Sequence, residues 1–378
     1  MDPIVNPPLG AITLDAEGNA ASILERQSPS RRALAVAAVV LAGTAAAGLT
    51  WAKWYPYAEK LGKLWDTRVC HGPSIHSTGA DATKTAPTWH AAWSFTVAYG
   101  QDIWVALVVA IVIAAAMEAL VPRQRIVSLL TRRSALGGTL LGGLVALPAM
   151  MCTCCSAPLT VTLRRNGVPT ASALGFWLSN PVLNPAVIVF LALVAPWQWV
   201  VTRAIVGAVL VLAVPYVVTC LVRASASSEA ASETPPVAAE SFDLGAAPRL
   251  FLTAVGRLGI TLVPEYFVVV LLIGAFRGWL LPLGADTLHW GFLAVLVAAV
   301  AGVLMVIPTA GEIPILLGLA ALGISPAVLG ALLIALPAIS LPSMAMVGRT
   351  LSWKVVGATA AAVAVFALIG GGLLSALA

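Results

Sequence analysis

The chain has 378 residues, 60% of them hydrophobic and only 10% charged, with a mean hydropathy of +0.96. Soluble domains carry about 25% charged residues, so that class is excluded, and the net charge of +5 is what a membrane protein's basic cytoplasmic loops produce rather than a sign of nucleic-acid binding. Five cysteines, three of them together at Cys152, Cys154 and Cys155, are too few and too clustered for a disulfide framework.

A polar tail, residues 1–30, leads to Arg31-Arg32 and an apolar run over 33–50. The tail is too long and polar for a cleaved signal, so the run is read as a retained first span. Residues 31–94 then comprise that span and an extracytoplasmic loop. Its Cys70, His71, His76 and His90 are read as a solvated loop rather than a metal site.

Further spans are predicted over 97–121, 136–151, 168–195, 199–222, 256–281, 290–308, 326–348 and 355–376. Segments 152–163 and 311–322 are apolar but too short to cross a core about 30 Å thick, and read as re-entrant or half-helices. Arg123, Arg125, Arg132, Arg133, Arg164, Arg165, Arg223, Arg349 and Lys354 fall on one side if the short segments turn back, and that side is the cytoplasm. Residues 223–249, rich in Ala, Ser, Pro and acid, are expected to form a disordered cytoplasmic linker.

The linker separates two halves, 95–222 and 250–378, whose texts run in parallel: "APLTVTLRRNGVPTASALGFWLSNPVLNP" against "IPILLGLAALGISPAVLGALLIALPAISLP". Pro158, Gly167 and Pro181 recur at one constant offset as Pro314, Gly323 and Pro337, with Pro185 and Pro342 beyond them. The orientation rule makes the halves inverted relative to each other. The expected fold is an all-α polytopic membrane protein of about eight to ten transmembrane helices, two inverted repeats with broken and re-entrant segments.

Proline inside a helix removes one donor and frees the carbonyl four residues earlier. In hydrocarbon such backbone survives only against protein or a wet cavity, so matched breaks in inverted halves point to a transport site near the midplane. Pro181 would free Trp177 and Pro185 would free Pro181, while Pro337 and Pro342 would free Leu333 and Ala338. The side chains expected there are Asn180, Asn184, Ser179, Thr160 and Thr162 from the first half, and Thr309, Glu312, Ser340 and Ser343 from the second.

Glu312 is the sharpest of these, because a carboxyl at a helix centre costs about 2.5–3.5 kcal/mol to insert and faces a pathway or a partner. It is read as a proton or cation site. Glu118, close to Arg123 at a membrane edge, is read as a snorkelling or paired residue, and Glu265, after Pro264, is left open between structure and function. The thiols divide between soft-ligand contact and plain packing. Their C-x-C-C spacing is set apart from the C-x-x-C of redox sites.

The run "CTCCSAPLTVTLRRNGVPTASALGFWLSNPVLNP" resembles the ArsP-like predicted permeases of bacterial inner membranes, over roughly residues 95–375. The resemblance implies a two-repeat permease, some of whose relatives export trivalent organoarsenicals through thiol contacts. Cys154, Cys155 and Pro158 match the family's cysteine segment, and Asn180-Pro181 its break. The chain differs in its doubled Asn-Pro, in the additional Cys152, and in Ser156 after Cys155.

The resulting expectation is a permease, not an enzyme, without a cofactor or metal centre. It would hold a small solute among Cys152, Cys154, Cys155, Pro158, Asn180, Pro181, Asn184, Pro185, Glu312, Pro314, Pro337 and Ser340. Its surroundings are the lipid bilayer, with homo-oligomerisation open and no nucleic acid. No G-x-x-x-x-G-K-[ST] loop occurs, so a gradient, mass action or a separate subunit supplies the energy. A non-transporting assembly subunit, a membrane thiol oxidoreductase and an aquaporin-type channel stand as alternatives.

Overall fold

The computed structural model describes residues 31–67, 89–131, 134–226, 245–280, 291–307, 309–321 and 323–378. Cys70, His71 and His76, Arg132 and Arg133, most of the linker, and the side chain of Glu265 lie outside the described residues. Everything described is helix, turn or short connection, and the chain is an all-α polytopic membrane protein. Among the described residues five helices are long and apolar enough to cross a bilayer, or six when one bent pair is taken as a single span.

The first helix does not stop at residue 50. Arg31–Leu49 (α1) passes through a π-helical turn, Thr50–Trp54, into Tyr55–Thr67 (α2). The expected outer loop therefore begins as helix, because the ring of Tyr57 packs edge-on against Phe190 at 5.7 Å and Trp54 Nε1 donates to the Pro148 carbonyl at 2.9 Å. The π turn widens the helix by one residue and turns Lys53 inward, where it is buried.

The first half then comprises Trp89–Leu120 (α3), Arg123–Leu130 (α4), Ala135–Ala146 (α5) and Thr153–Arg165 (α6). Thr170–Val182 (α7), Pro185–Val194 (α8) and Trp197–Ala226 (α9) complete it. The second half comprises Ala247–Leu280 (α10), Phe292–Leu304 (α11), Glu312–Ala321 (α12), Pro326–Ala338 (α13), Leu341–Leu351 (α14) and Trp353–Leu377 (α15). Helix reaches Ala226 and resumes at Ala247, so both ends of the expected linker, 223–226 and 247–249, are helical.

The same pairings occur in both halves. Helix α5 packs on α7 and α9 as α11 packs on α13 and α15; α7 meets α9 as α13 meets α15; α6 meets α7 as α12 meets α13. The two leading helices, α3 and α10, lie against each other and run antiparallel. A Cβ on Gly274 would stand 2.9 Å from the Ala92 carbonyl oxygen, while at the other end Arg257 binds both oxygens of Glu118 at 2.5 and 2.6 Å. Glu118 is thus paired across the halves with Arg257, a partner that local sequence could not supply.

The short helices end in the same way. Gly167 and Gly323 are both left-handed, at φ 89° and 79°. In the first, Gly167 N–H reaches the Arg164 carbonyl and Val168 N–H the Leu163 carbonyl; in the second, Gly323 reaches Ala320 and Ile324 reaches Leu319. Both are Schellman closures, which glycine adopts without the Cβ clash of other residues. At 13 and 10 residues, α6 and α12 extend only about 20 and 15 Å, short of a bilayer core.

Close approach fixes the helix pairs. A Cβ on Gly142 would lie 2.0 Å from the Ser172 carbonyl oxygen, and one on Gly175 would lie 2.5 Å from that of Thr139. In the second half a Cβ on Gly371 of α15 would lie 2.5 Å from the Ala327 carbonyl oxygen of α13. Small residues that let backbones touch are the usual adhesive of helices in lipid.

Candidate functional site

Helix α5 ends in a 3₁₀ turn, Leu147–Ala149, and Met150 at φ 48° turns the chain back. Cys152 is extended and occupies the N-cap of α6, so Cys155 falls at N3. That geometry brings Cys152 Sγ within 3.1 Å of Cys155 Sγ. The separation of the spacing from the redox type needs correction here. Cys152 and Cys155 are themselves a C-x-x-C pair, with Cys154 between them.

Cys154 points the other way, to the second half. Its Sγ lies 3.2 Å from Ser340 Oγ, and Thr153 Oγ1 lies 3.1 Å from the same oxygen. Ser340 is the N-cap of α14, just past the Pro337 break where α13 and α14 bend by 50°. Its amide donates to Ser343 Oγ at 3.2 Å, and Ser343 Oγ donates to the Ser340 carbonyl at 2.8 Å. Thr153, Cys154, Ser340 and Ser343 are all buried.

Asn184 is the N-cap of α8 at the position matching Ser340, and its Oδ1 accepts from Ala186 and Val187 amides at 3.1 and 3.4 Å. Its Nδ2 is buried without a hydrogen-bond partner in the described structure, as are Ser179 Oγ, Thr162 Oγ1 and Thr202 Oγ1. Asn180 is engaged at both ends of its amide: Nδ2 donates to the Phe176 carbonyl at 3.0 Å, and Oδ1 accepts from the Met151 amide at 3.3 Å. Asn180 therefore splints the break to the start of α6.

Glu312, expected as a proton or cation site facing a pathway or a partner, has a strong partner. Arg203 NH1 donates to its Oε1 at 3.0 Å, with both side chains buried. The same guanidinium donates through NH2 to the Pro181 carbonyl at 2.9 Å and through Nε to the Val182 carbonyl at 3.2 Å. The Pro181 carbonyl, expected to be free for a solute, is occupied by Arg203 in this conformation. One side chain thereby satisfies the broken end of α7 and ties α9 to α12 across the two halves.

The prolines divide by position. Pro185 is N1 of α8 and Pro314 lies in the first turn of α12, where a missing amide removes no intrahelical bond. They start helices rather than break them. Pro158, Pro181 and Pro337 lie inside helices. Their missing donors release the carbonyls of Cys154, Trp177 and Leu333.

Lys53 and Tyr57, outside the expected set like Arg203 and Thr153, complete the cluster. Lys53 Nζ donates to Thr309 Oγ1 at 3.1 Å and sits 5.7 Å above the Tyr57 ring. It is close enough to Cys152 and Cys155 for electrostatic interaction. Tyr57 OH donates to the Met150 carbonyl at 3.3 Å, on the turn that positions the thiols. Thr309 holds in the second half the place of Thr153 in the first, so matched threonines contact Lys53 and Ser340 respectively. Glu312 similarly matches Ser156.

Arg203 was visible as a charge within an otherwise apolar stretch, and Lys53 as a lone cation among the aromatics of "TWAKWYPY". What sequence could not give was their partners. His90 is exposed and remote in character from this cluster.

Residues 88–376 match the family of predicted permeases of the ArsP type. The chain belongs to that family. A relative, the UPF0718 protein YraQ of Escherichia coli strain K12, is 38% identical over 335 residues, covering 86% of this chain and 91% of its own length. No solved structure matches. The permease match begins at the foot of α3, so Cys152, Cys154, Cys155, Arg203, Glu312 and Ser340 lie inside it, whereas Lys53 and Tyr57 lie before it.

Proposed function

We propose that this permease moves a small solute by alternating access, through a site where the first turns of α6 and α12 meet the break before α14. The observation that carries the reading is the direct seam between halves: Cys154 on Ser340 at 3.2 Å, beside Arg203 on Glu312 at 3.0 Å. A buried polar junction in lipid is costly unless function retains it. Two rigid bodies that meet through a few hydrogen bonds can part and re-form at the scale of a rocking motion.

The repeated pairings and the antiparallel course of α3 and α10 support an inverted relation between 95–222 and 250–378, with 31–94 and 223–249 outside the repeats. Three thiolate-capable sulfurs favour a soft solute, a metal or metalloid species such as a trivalent organoarsenical. The membrane is the bacterial inner membrane, the reading that the Escherichia coli relative supports. The site binds and releases rather than transforms its solute.

The C-x-x-C register of Cys152 and Cys155 favours one second reading. A dithiol there would reduce a small disulfide to two thiols while itself closing to a disulfide, an exchange that needs no gradient.

Proteoliposomes with the purified chain test these readings. Arsenite, antimonite, selenite and a trivalent organoarsenical are followed by elemental analysis. Flux above protein-free liposomes that is lost in Cys154→Ser and Ser340→Ala, with insertion unchanged, is expected. Flux that both variants retain overturns the site. No flux for any probe, with thiol formation from a disulfide in detergent, replaces transport by the exchange reading.

A further inference from the structure

The buried charged side chains among the described residues are Lys53, Arg203 and Glu312. Arg203 and Glu312 neutralise each other. Lys53 is left with two hydroxyls, those of Thr309 and Tyr57, and with the aromatic face of Tyr57. No carboxylate among the described residues is recorded against it.

An ammonium ion taken out of water without a counter-charge is strongly penalised, and two hydroxyls and a ring compensate only part of that. The first turns of α6 and α12 carry amides with no intrahelical acceptor, and Cys152 supplies no side-chain cap to α6. Against this stand only thiols, hydroxyls and the carboxylate already held by Arg203.

We propose that Lys53 is the charge-selecting residue of the site, and that the solute it admits is a small anion with a soft, thiol-compatible atom. The proposal rests on the transport reading above and narrows its substrate class. In it the ammonium, released from Thr309, meets the solute's negative oxygen, while Cys154 or Cys155 meets its soft centre; no bond to the chain is made or broken. The selecting charge comes from the first helix, before the part of the chain that matches the permease family. The π turn at Thr50–Trp54 is the device that delivers it.

The test uses the full chain in lipid nanodiscs, with Cys70→Ser and Cys220→Ser removing the other thiols. Three methanethiosulfonates are compared by intact-protein mass spectrometry: an anionic sulfonatoethyl, a cationic trimethylammonioethyl and the neutral methyl reagent. Each rate is divided by that of free 2-mercaptoethanol. The anionic reagent is expected to exceed the cationic by about tenfold or more, a preference retained in Lys53→Arg and lost in Lys53→Gln.

Because the unsubstituted Lys53 protein gives the ratio by itself, a Lys53→Gln chain that fails to insert does not rescue the idea. Equal normalised rates for the charged reagents overturn it. So does a Lys53→Gln variant that slows all three reagents alike, which would make Lys53 the counter-ion of a thiolate. If even the neutral reagent never reaches Cys152, Cys154 or Cys155, the transport site itself falls, and this proposal with it.

Discussion

The two halves share a skeleton and differ in chemistry. Each has a short helix closed by a left-handed glycine, then a helix with an internal proline, then a break re-capped at a matched position by Asn184 or Ser340. On that common frame the first half places Cys-Thr-Cys-Cys-Ser where the second places Pro-Thr-Ala-Gly-Glu. Repetition thus supplies the geometry, and divergence supplies one composite site rather than two equivalent ones. Thiols from one side and hydroxyls and a carboxylate from the other meet only because the halves face each other.

Removing what is unique to one half should therefore cost more than altering what both share. Arg203 faces Glu312, whereas the matched residue Thr359 only back-bonds to the Val355 carbonyl at 2.8 Å. Arg203→Met is expected to destabilise by about 3–5 kcal/mol by leaving a buried carboxylate unpaired, with much of the loss recovered in Arg203→Met/Glu312→Leu. Thr359→Ala should lose about 1 kcal/mol. Thermal unfolding in detergent ranks the three; equal losses at 203 and 359 would erase the distinction.

Packing gives the next largest effect. Gly175 meets the Thr139 backbone, while the matched position in the second half is already Ala331. Gly175→Ala should cost about 1–3 kcal/mol through overpacking. Ala331→Gly is expected to lose about 0.5–1 kcal/mol. The same unfolding measurement checks both, and a harmless Gly175→Ala would show that α5 and α7 can part freely.

The caps give the smallest difference. Asn184→Ala removes the bonds to Ala186 and Val187 and should cost about 1 kcal/mol, whereas Asn184→Ser, which copies the second half, should stay within about 0.5 kcal/mol. Hydrogen exchange at the first turn of α8 reports this locally.

The repeat, the breaks and the polar residues around them were legible because proline and glycine act through local backbone geometry. Gly167 and Gly323 announce their left-handed turns, and Asn184 and Ser340 announce caps. The ion pairs were not legible, since Arg203 meets Glu312 and Arg257 meets Glu118 across the whole linker. Lys53 was hidden for another reason. Mean hydropathy ends the first span at residue 50, but the π turn carries the helix on and rotates its cation into the core. The C-x-x-C register of Cys152 and Cys155 was in the text and was masked by Cys154 between them.

The central claim is that the seam between halves opens to each side of the membrane in turn. Its most direct measurement is the labelling of the Cys152, Cys154 and Cys155 thiols, in a Cys70→Ser/Cys220→Ser chain, by a membrane-impermeant maleimide added to right-side-out and to inverted vesicles. The account predicts labelling from both faces, slowed at each by a transported solute. Labelling from neither face in intact membranes, with full labelling after denaturation, would show a sealed structural core and contradict it.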